Sequence, residues 1–248
     1  MKKFLLIGLL ALTVACQSAT SIPAPESTPT TPPQTPTISV TDTPAFTATP
    51  APSPTPIPLF FTEEFDLDLG AWISFQTSGD SNPQVSTQNG LLVISFSSPH
   101  TWYYAIHNAH DYLKVHVDTK FDSTNAETNS MGLVCMYSDA NGWYEYNLSS
   151  DGTYNILFGQ WLTQGIAQYK PIVSDTTEYL TRGRTDYEIG ITCEKDILLL
   201  YINSKLFRKL DVSRYGLEKG KVGIDAAAFE NAPVTAYFEW FKVSEPTE

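Results

Sequence analysis

The sequence is poor in positive charge. It contains 15 Lys and Arg residues against 27 Asp and Glu residues, which gives a formal net charge of −12. Proteins that bind nucleic acids neutralise phosphates with basic side chains, so this balance excludes a nucleic-acid partner. The same acidity is a poor match for anionic lipid surfaces. Any membrane contact must therefore come from something other than surface charge.

The sequence also lacks a hydrophobic run of the roughly 20 residues that span a bilayer. The nearest is an apolar stretch over residues 4–15, which follows Lys2 and Lys3, and this pattern is typical of a secretory signal peptide. Residues 13–16, Thr-Val-Ala-Cys, resemble the bacterial lipobox, with Thr where Leu is usual. We predict a signal peptide over residues 1–16 and lipidation of Cys16. An ordinary secretory signal with an incidental cysteine is the alternative.

Helical periodicity is missing as well. No stretch of ten or more residues repeats its apolar side chains every 3.6 positions, and residues 176–182 come nearest. Apolar residues alternate with polar ones instead, and residues 131–158 contain three such runs separated by turn sequences that end in Gly142 and Gly152. This pattern is typical of a β-meander. The sequence predicts an all-β fold of two antiparallel layers.

Composition divides the chain into three parts. After the signal peptide, residues 17–58 are dominated by Pro, Thr, Ser and Ala and carry only two charged residues, Glu26 and Asp42. Such a segment has too little apolar surface to fold, so we predict a disordered linker. Residues 59–248 remain as one domain, which keeps the net charge of −12 because two bases and two acids precede it.

Cysteine is scarce, with three in the chain. If Cys16 carries lipid, Cys135 and Cys193 are left in an exported domain. An even number in an oxidising compartment favours a disulfide bridge. Two buried free thiols are the alternative.

Several short motifs are typical of one protein family. They are Gly132-Leu133-Val134-Cys135, Trp143-Tyr144-Glu145-Tyr146, Ser150-Asp151-Gly152-Thr153-Tyr154, Ile191-Thr192-Cys193, Leu199-Leu200-Tyr201-Ile202-Asn203, Val222-Gly223-Ile224 and Phe238-Glu239-Trp240-Phe241-Lys242-Val243. Together they resemble the concanavalin A-like (laminin G-like) jelly-roll domains found at the C-terminus of bacterial surface lipoproteins. Ser204 stands where the family usually has Gly, and Glu239 where it usually has Asp. The motifs are mostly structural, so the resemblance implies a jelly-roll sandwich and says little about function.

Catalytic signatures are absent. The sequence has no Gly-rich phosphate loop and no Gly-x-Ser-x-Gly elbow. Glycosidases with the jelly-roll fold that this resemblance implies carry Glu-x-Asp-x-x-Glu on one strand. No such run occurs in this sequence. Asp186 and Glu188 are the nearest carboxylate pair, and they define a rival hypothesis of glycoside hydrolysis. Surface carboxylates on a wet strand face are the simpler interpretation.

Metal-binding patterns are weak. His100, His107 and His110 lie close in sequence, but no cysteine or carboxylate completes a zinc set, which favours solvated loop histidines. Glu63, Glu64, Asp66 and Asp68 carry oxygen ligands that a structural Ca²⁺ could use, although an acidic loop facing solvent explains them more simply. We predict no metal cofactor.

Aromatic residues with polar neighbours are the remaining functional signal. Sugars stack on Trp and Tyr rings while amides and carboxylates bind their hydroxyl groups. Alternation places Trp143, Glu145 and Asn147 on one face of a strand, and Trp161 lies in a polar stretch bounded by Gly159 and Gly165. With Trp102 added, the predicted ligand-binding residues are Trp102, Trp143, Glu145, Asn147 and Trp161.

The combined prediction is a protein held outside the cytoplasm by a lipid anchor on the bacterial membrane or envelope surface. Its sandwich domain binds polysaccharide or another glycan without catalysis. A structural or protein-binding surface module is the main alternative, and a glycoside hydrolase is the less favoured one.

Overall fold

The computed structural model describes residues 56–124, 129–163 and 165–247. These residues form strands and a single 3₁₀ turn, Ser213–Tyr215. The strands are β1 (Phe61–Glu63), β2 (Trp72–Ser78), β3 (Gln84–Gln88), β4 (Leu91–Phe96), β5 (Thr101–Tyr112), β6 (Val115–Ser123), β7 (Asn129–Ser138), β8 (Gly142–Ser149), β9 (Thr153–Thr163), β10 (Ile166–Thr176), β11 (Tyr187–Cys193), β12 (Ile197–Ile202), β13 (Lys205–Asp211), β14 (Gly220–Ala228) and β15 (Val234–Ser244).

The strands form two antiparallel sheets. Sheet A has eight strands in the order β13-β12-β11-β6-β15-β4-β3, and β1 pairs with the C-terminal end of β15. Sheet B has seven strands in the order β10-β9-β8-β7-β14-β5-β2. The predicted all-β, two-sheet sandwich is confirmed. In the described part of the chain, no helix has the length and apolar character that crossing a bilayer requires.

Turn chemistry fixes the register of two hairpins. Asn89 and Gly90 join β3 to β4 with φ angles of 53° and 72°, the left-handed values that a two-residue primed turn requires. Asn203 and Ser204 join β12 to β13 with φ angles of 49° and 61°. Ser204 therefore adopts here a conformation that glycine enters more readily, which is why the family pattern usually has Gly at this position.

The main core lies between the two sheets. Alternation along β8 points Tyr144, Tyr146 and Leu148 into it, as their pattern predicts, while Phe238 and Phe241 enter from sheet A. Burial of each such side chain stabilises the fold by roughly 1.5–3 kcal/mol relative to exposure. Both sheets therefore have one mostly apolar face that packs in the core, and their outer faces and rims remain accessible.

Three features differ from the sequence predictions or lie outside the described residues. β10 was not predicted, because its exposed, polar-rich sequence around Lys170 and Pro171 has no apolar alternation. Residues 197–202 are a continuous apolar run, a pattern that predicts burial on both faces, but only Leu198, Leu200 and Ile202 are fully buried. The predicted signal peptide, Cys16 and residues 17–55 of the predicted linker lie outside the described residues.

The predicted disulfide bridge between Cys135 and Cys193 is present. It joins β7 of sheet B to β11 of sheet A, and both cysteines are fully buried in the main core. The bridge therefore ties the two layers together and closes a loop with a sequence separation of 58 residues.

We predict that removing the bridge destabilises the domain by about 2–4 kcal/mol, because the unfolded chain gains conformational entropy when the loop is no longer closed. Cys135→Ala, Cys193→Ala and the double variant should each lose this amount in urea unfolding, since either single change breaks the same bond. Additive losses in the double variant would show that the two cysteines act independently.

Candidate functional site

Sheet B curls strongly over its outer face, which we call the concave face. The hydroxyl of Tyr169 on β10 donates to Thr77 Oγ1 on β2 at 2.7 Å, although β10 and β2 are opposite edges of the sheet. In a flat sheet of seven strands these edges would lie about 29 Å apart. The two edges therefore meet above the middle of the face.

A second aromatic cluster fills the space under this contact. Phe75 stacks on Tyr104 with ring centroids 4.7 Å apart. The ring centroids of Trp143 and Trp161 are 5.2 Å apart. Gly159 makes room for the Trp143 indole, because a Cβ at this position would collide with that ring. The concave face is thus closed over its centre by packed rings.

The structure brings all five predicted ligand-binding residues to the concave face, but it buries three of them. Trp143 and Glu145 are 0% exposed and Asn147 is 4% exposed. Trp102 and Trp161 are partly exposed at the periphery of the cluster. Trp143 therefore has no free ring face for a sugar and supports the surface from below.

An open cleft remains at one end of the concave face. Its volume is about 550 Å³, and it is lined by Ile73, Ser74, Phe75, Tyr137, Asp139, Trp161 and Gly165. The Tyr137 hydroxyl donates to Asp139 Oδ1 at 2.6 Å, and Trp161 Nε1 donates to the same hydroxyl at 3.4 Å. Trp102 does not line this cleft and packs on Phe229 instead. Of the predicted set, Trp161 alone contributes to the cleft's lining.

Beneath the rings lies a buried acidic cluster. Glu145 Oε1 accepts hydrogen bonds from Trp143 Nε1 at 2.5 Å and from the Tyr104 hydroxyl at 2.9 Å, and Asn147 Nδ2 donates to Oε2 at 3.3 Å. Burial raises the pKa of Glu145 to about 7, although these donors act against the shift. Burial, together with the charge of Glu145, holds the pKa of Asp225 well above its ordinary value. Asp225 was not predicted to be functional.

A chain of hydroxyls connects this cluster to the edge of the sheet. Tyr104, which donates to Glu145, shares a hydrogen bond of 2.9 Å with Tyr169, whose hydroxyl reaches Thr77. Burial raises the pKa of both tyrosines above the ordinary value. They therefore stay protonated at neutral pH, and every hydroxyl can serve as a donor.

Sheet A carries a larger cleft, of about 880 Å³, on its outer face. Its lining includes His116, Asp118, Glu188, Tyr201 and Trp240. The His116 ring is held between the Thr192 hydroxyl at 2.7 Å and Asp118 Oδ1 at 2.9 Å. The sequence alone does not reveal this cleft, because its side chains come from different strands.

The carboxylate pair of the rival hydrolase hypothesis is not brought into one site. Glu188 lines the cleft on sheet A and accepts a hydrogen bond from Ser204 Oγ at 2.6 Å. Asp186 precedes β11, is not part of that lining, and forms an ion pair with Arg184. The two residues therefore have different partners and surroundings.

The histidines do not form a loop site. His107 lies within β5 and is 2% exposed, packed against the rings of Phe61 and Trp72. Its predicted solvent exposure is therefore wrong. Burial, followed by the nearby His110, lowers the pKa of His107 to about 4. Within the described ranges, no three His, Cys, Asp or Glu side chains converge as a metal-binding group.

Solved structures share this architecture at low sequence identity. A GH16 protein from the Bacteroides ovatus mixed linkage glucan PUL aligns with a TM-score of 0.55 and 9% identity over 74% of this chain and 99% of its own. The Bacillus licheniformis β-glucanase gives 0.51 and 13% over 75% and 98%. A Bacillus subtilis protein of unknown function with a galectin-like fold gives 0.57 and 13% over 75% and 94%.

These likenesses establish the class of the domain by its fold. It is a concanavalin A-like jelly-roll sandwich, as the sequence motifs indicate. No protein-family model matches the chain, and no curated protein matches it. The fold relationship is thus visible in the structure but not in overall sequence identity.

The buried Glu145 makes stability depend on pH. Its pKa is about 7 in the folded protein against an ordinary value of 4.5, so between these values only the folded state keeps the proton. The contribution of Glu145 to stability is complete below pH 4.5 and is lost as the pH rises to 7. Measured in EDTA, the free energy of unfolding of the wild type should fall by up to about 3 kcal/mol relative to Glu145→Gln between pH 5 and pH 8.

The exposed Glu178 provides the matched control, and Glu178→Gln should keep the pH profile of the wild type. The lowered pKa of His107 acts in the opposite direction, since stability is lost as the pH falls from 6.5 towards 4. This effect cancels when variants that retain His107 are compared. Identical pH profiles for the wild type and Glu145→Gln would contradict the assignment.

Proposed function

We propose that this domain binds extracellular carbohydrate at the concave-face cleft and does so without catalysis. Two of the proteins that share its fold are named as a GH16 protein of a glucan locus and a β-glucanase. The observation that supports the proposal most directly is the partly exposed ring of Trp161 in an open cleft beside hydrogen-bonding groups.

Trp161 provides the stacking surface. Its ring is held edge-on against Phe75 with centroids 5.0 Å apart and rests on the buried Trp143. A ring fixed in this way loses little side-chain freedom when a ligand binds, which favours affinity. The apolar C–H face of a sugar would lie against the free side of the indole.

Polar groups at the same cleft would bind the sugar hydroxyls. Asp139 accepts one hydrogen bond from Tyr137, and the oxygens of both side chains retain acceptor capacity. A few directional polar groups around an aromatic platform are the usual composition of a small-ligand site. Glu145 and Asn147 were predicted to bind the sugar hydroxyls, but both are buried below the cleft. We therefore assign this role to the cleft residues.

The arrangement of carboxylates supports binding rather than hydrolysis. Among the described residues that line the cleft, Asp139 is the single acidic one, whereas glycosidases of the usual kind place two carboxyl groups across the bond they cut. The buried pair Glu145 and Asp225 lies under the aromatic cluster, where a polysaccharide chain does not reach.

Placement at the cell surface completes the proposal. The signal peptide, the lipidated Cys16 and the Pro/Thr-rich linker would hold the domain outside the membrane, with the lipid as its membrane contact. A polysaccharide of the cell's surroundings would be the partner. The disulfide bridge is of the kind that oxidising compartments maintain.

We predict that Trp161→Ala weakens retention on β-glucan or galactan affinity gels at least tenfold, because the stacking surface is lost. Trp240→Ala is the matched control, since Trp240 is a partly exposed tryptophan in the cleft on sheet A. Its retention should equal that of the wild type.

The other outcomes decide against the proposal. Loss of gel retention in Trp240→Ala but not in Trp161→Ala would place the sugar site on sheet A. Absence of binding across a glycan array, together with a protein captured in pull-downs, would favour a structural or protein-binding module. Glucan hydrolysis that Glu188→Gln abolishes would establish the rival enzyme.

A further inference from the structure

The acidic cluster beneath the concave face contains oxygen atoms that have no partner. Both carboxylate oxygens of Asp225 and the Oδ1 atom of Asn147 are buried, and none of them has a hydrogen-bond partner among the described residues. Asp225 is 1% exposed. Buried polar atoms without partners are rare, because each loses its hydration without compensation.

Two of these oxygens, Asn147 Oδ1 and Asp225 Oδ1, lie over the same point of the backbone. Asn147, Gly132 and Asp225 are cross-strand neighbours on β8, β7 and β14. A Cβ added to Gly132 would collide with both Asn147 Oδ1 and Asp225 Oδ1, so the two oxygens face each other above bare backbone. The other end of the Asn147 amide donates to Glu145 Oε2, which places the second carboxylate beside the same side chain.

The charge of this cluster is not balanced by the protein. The ion pairs of the described residues leave Glu145 and Asp225 without a Lys, Arg or His partner. A pair of buried carboxylates without compensation is strongly unfavourable. Either protons or a bound cation must neutralise them.

We propose that Asp225, Asn147 and Glu145 form a buried binding site for a hard divalent cation of the Ca²⁺ type. Two carboxylates and one such ion are electrically neutral together. All the available donor atoms are oxygens, which suits Ca²⁺ and disfavours the nitrogen- and sulfur-seeking metals. Two oxygens that both lie over the Gly132 backbone are close enough to share an ion at the usual Ca–O distance of about 2.4 Å.

The protein supplies four oxygens to this site. Asp225 would bind through both of its oxygens, and Asn147 Oδ1 and Glu145 Oε2 would add one each, with water in the remaining positions. The ion would join β8 to β14 across β7 and fix the floor on which Trp143 rests. This site shares no residue with the lining of the proposed sugar cleft or with the acidic loop around Asp66.

The test uses the full chain, stripped with EDTA and then titrated with Ca²⁺ or Tb³⁺. Saturating CaCl₂ should raise the Tm by about 5 °C and flatten the stability profile between pH 5 and pH 8, because the ion displaces the proton. Excitation of tryptophan should sensitise Tb³⁺ emission, since Trp143 bonds directly to Glu145. Asp225→Asn should abolish all three effects.

Asp66→Asn is the control, because Asp66 is exposed and lines the acidic cleft on sheet A. It should keep the Ca²⁺ response of the wild type. Effects that survive Asp225→Asn but vanish in Asp66→Asn would place the ion at the surface and overturn the proposal. A wild type that responds to pH but not to Ca²⁺ would also overturn it, by showing that protons neutralise the cluster. The wild-type titration decides this even if Asp225→Asn fails to fold.

Discussion

The hydrogen bond between Tyr169 and Thr77 is the contact on which the concave face depends. It joins the two edges of sheet B, and this is possible because the sheet is strongly curled. The curl brings the rings of Phe75, Trp161 and Tyr169 over Trp143, so the molecule has a second apolar cluster outside the main core. A groove across the face is thereby reduced to a cleft at one end.

Closure of the face also determines its electrostatics. Glu145 would be an ordinary surface carboxylate on an open sheet, but under the aromatic cluster it loses its water and its pKa rises. Three donors stabilise it there, whereas Asp225, two strands away, has none among the described residues. The same packing that makes Trp161 a rigid platform therefore creates a polar cluster that needs neutralisation.

The sequence was sufficient for the fold and for part of the site. Alternation along β8 correctly placed Trp143, Glu145 and Asn147 on one face. It could not show that this face is covered, because the covering rings come from β2, β9 and β10, strands that the curl of the sheet brings together. Asp225 was missed because it is a neighbour only through strand pairing. Gly132 and Gly159, glycines inside strands, were the available signal of close side-chain approach from neighbouring strands.

The position of the disulfide bridge has a consequence for proteolysis. Its closed loop runs from β7 to β11 and includes β10, which is an exposed edge strand. A protease that cuts once within β10 leaves two polypeptides that the bridge still joins covalently. The severed strand segments remain at high effective concentration beside their sheet, so a nicked molecule can keep its shape until the sulfur–sulfur bond is reduced.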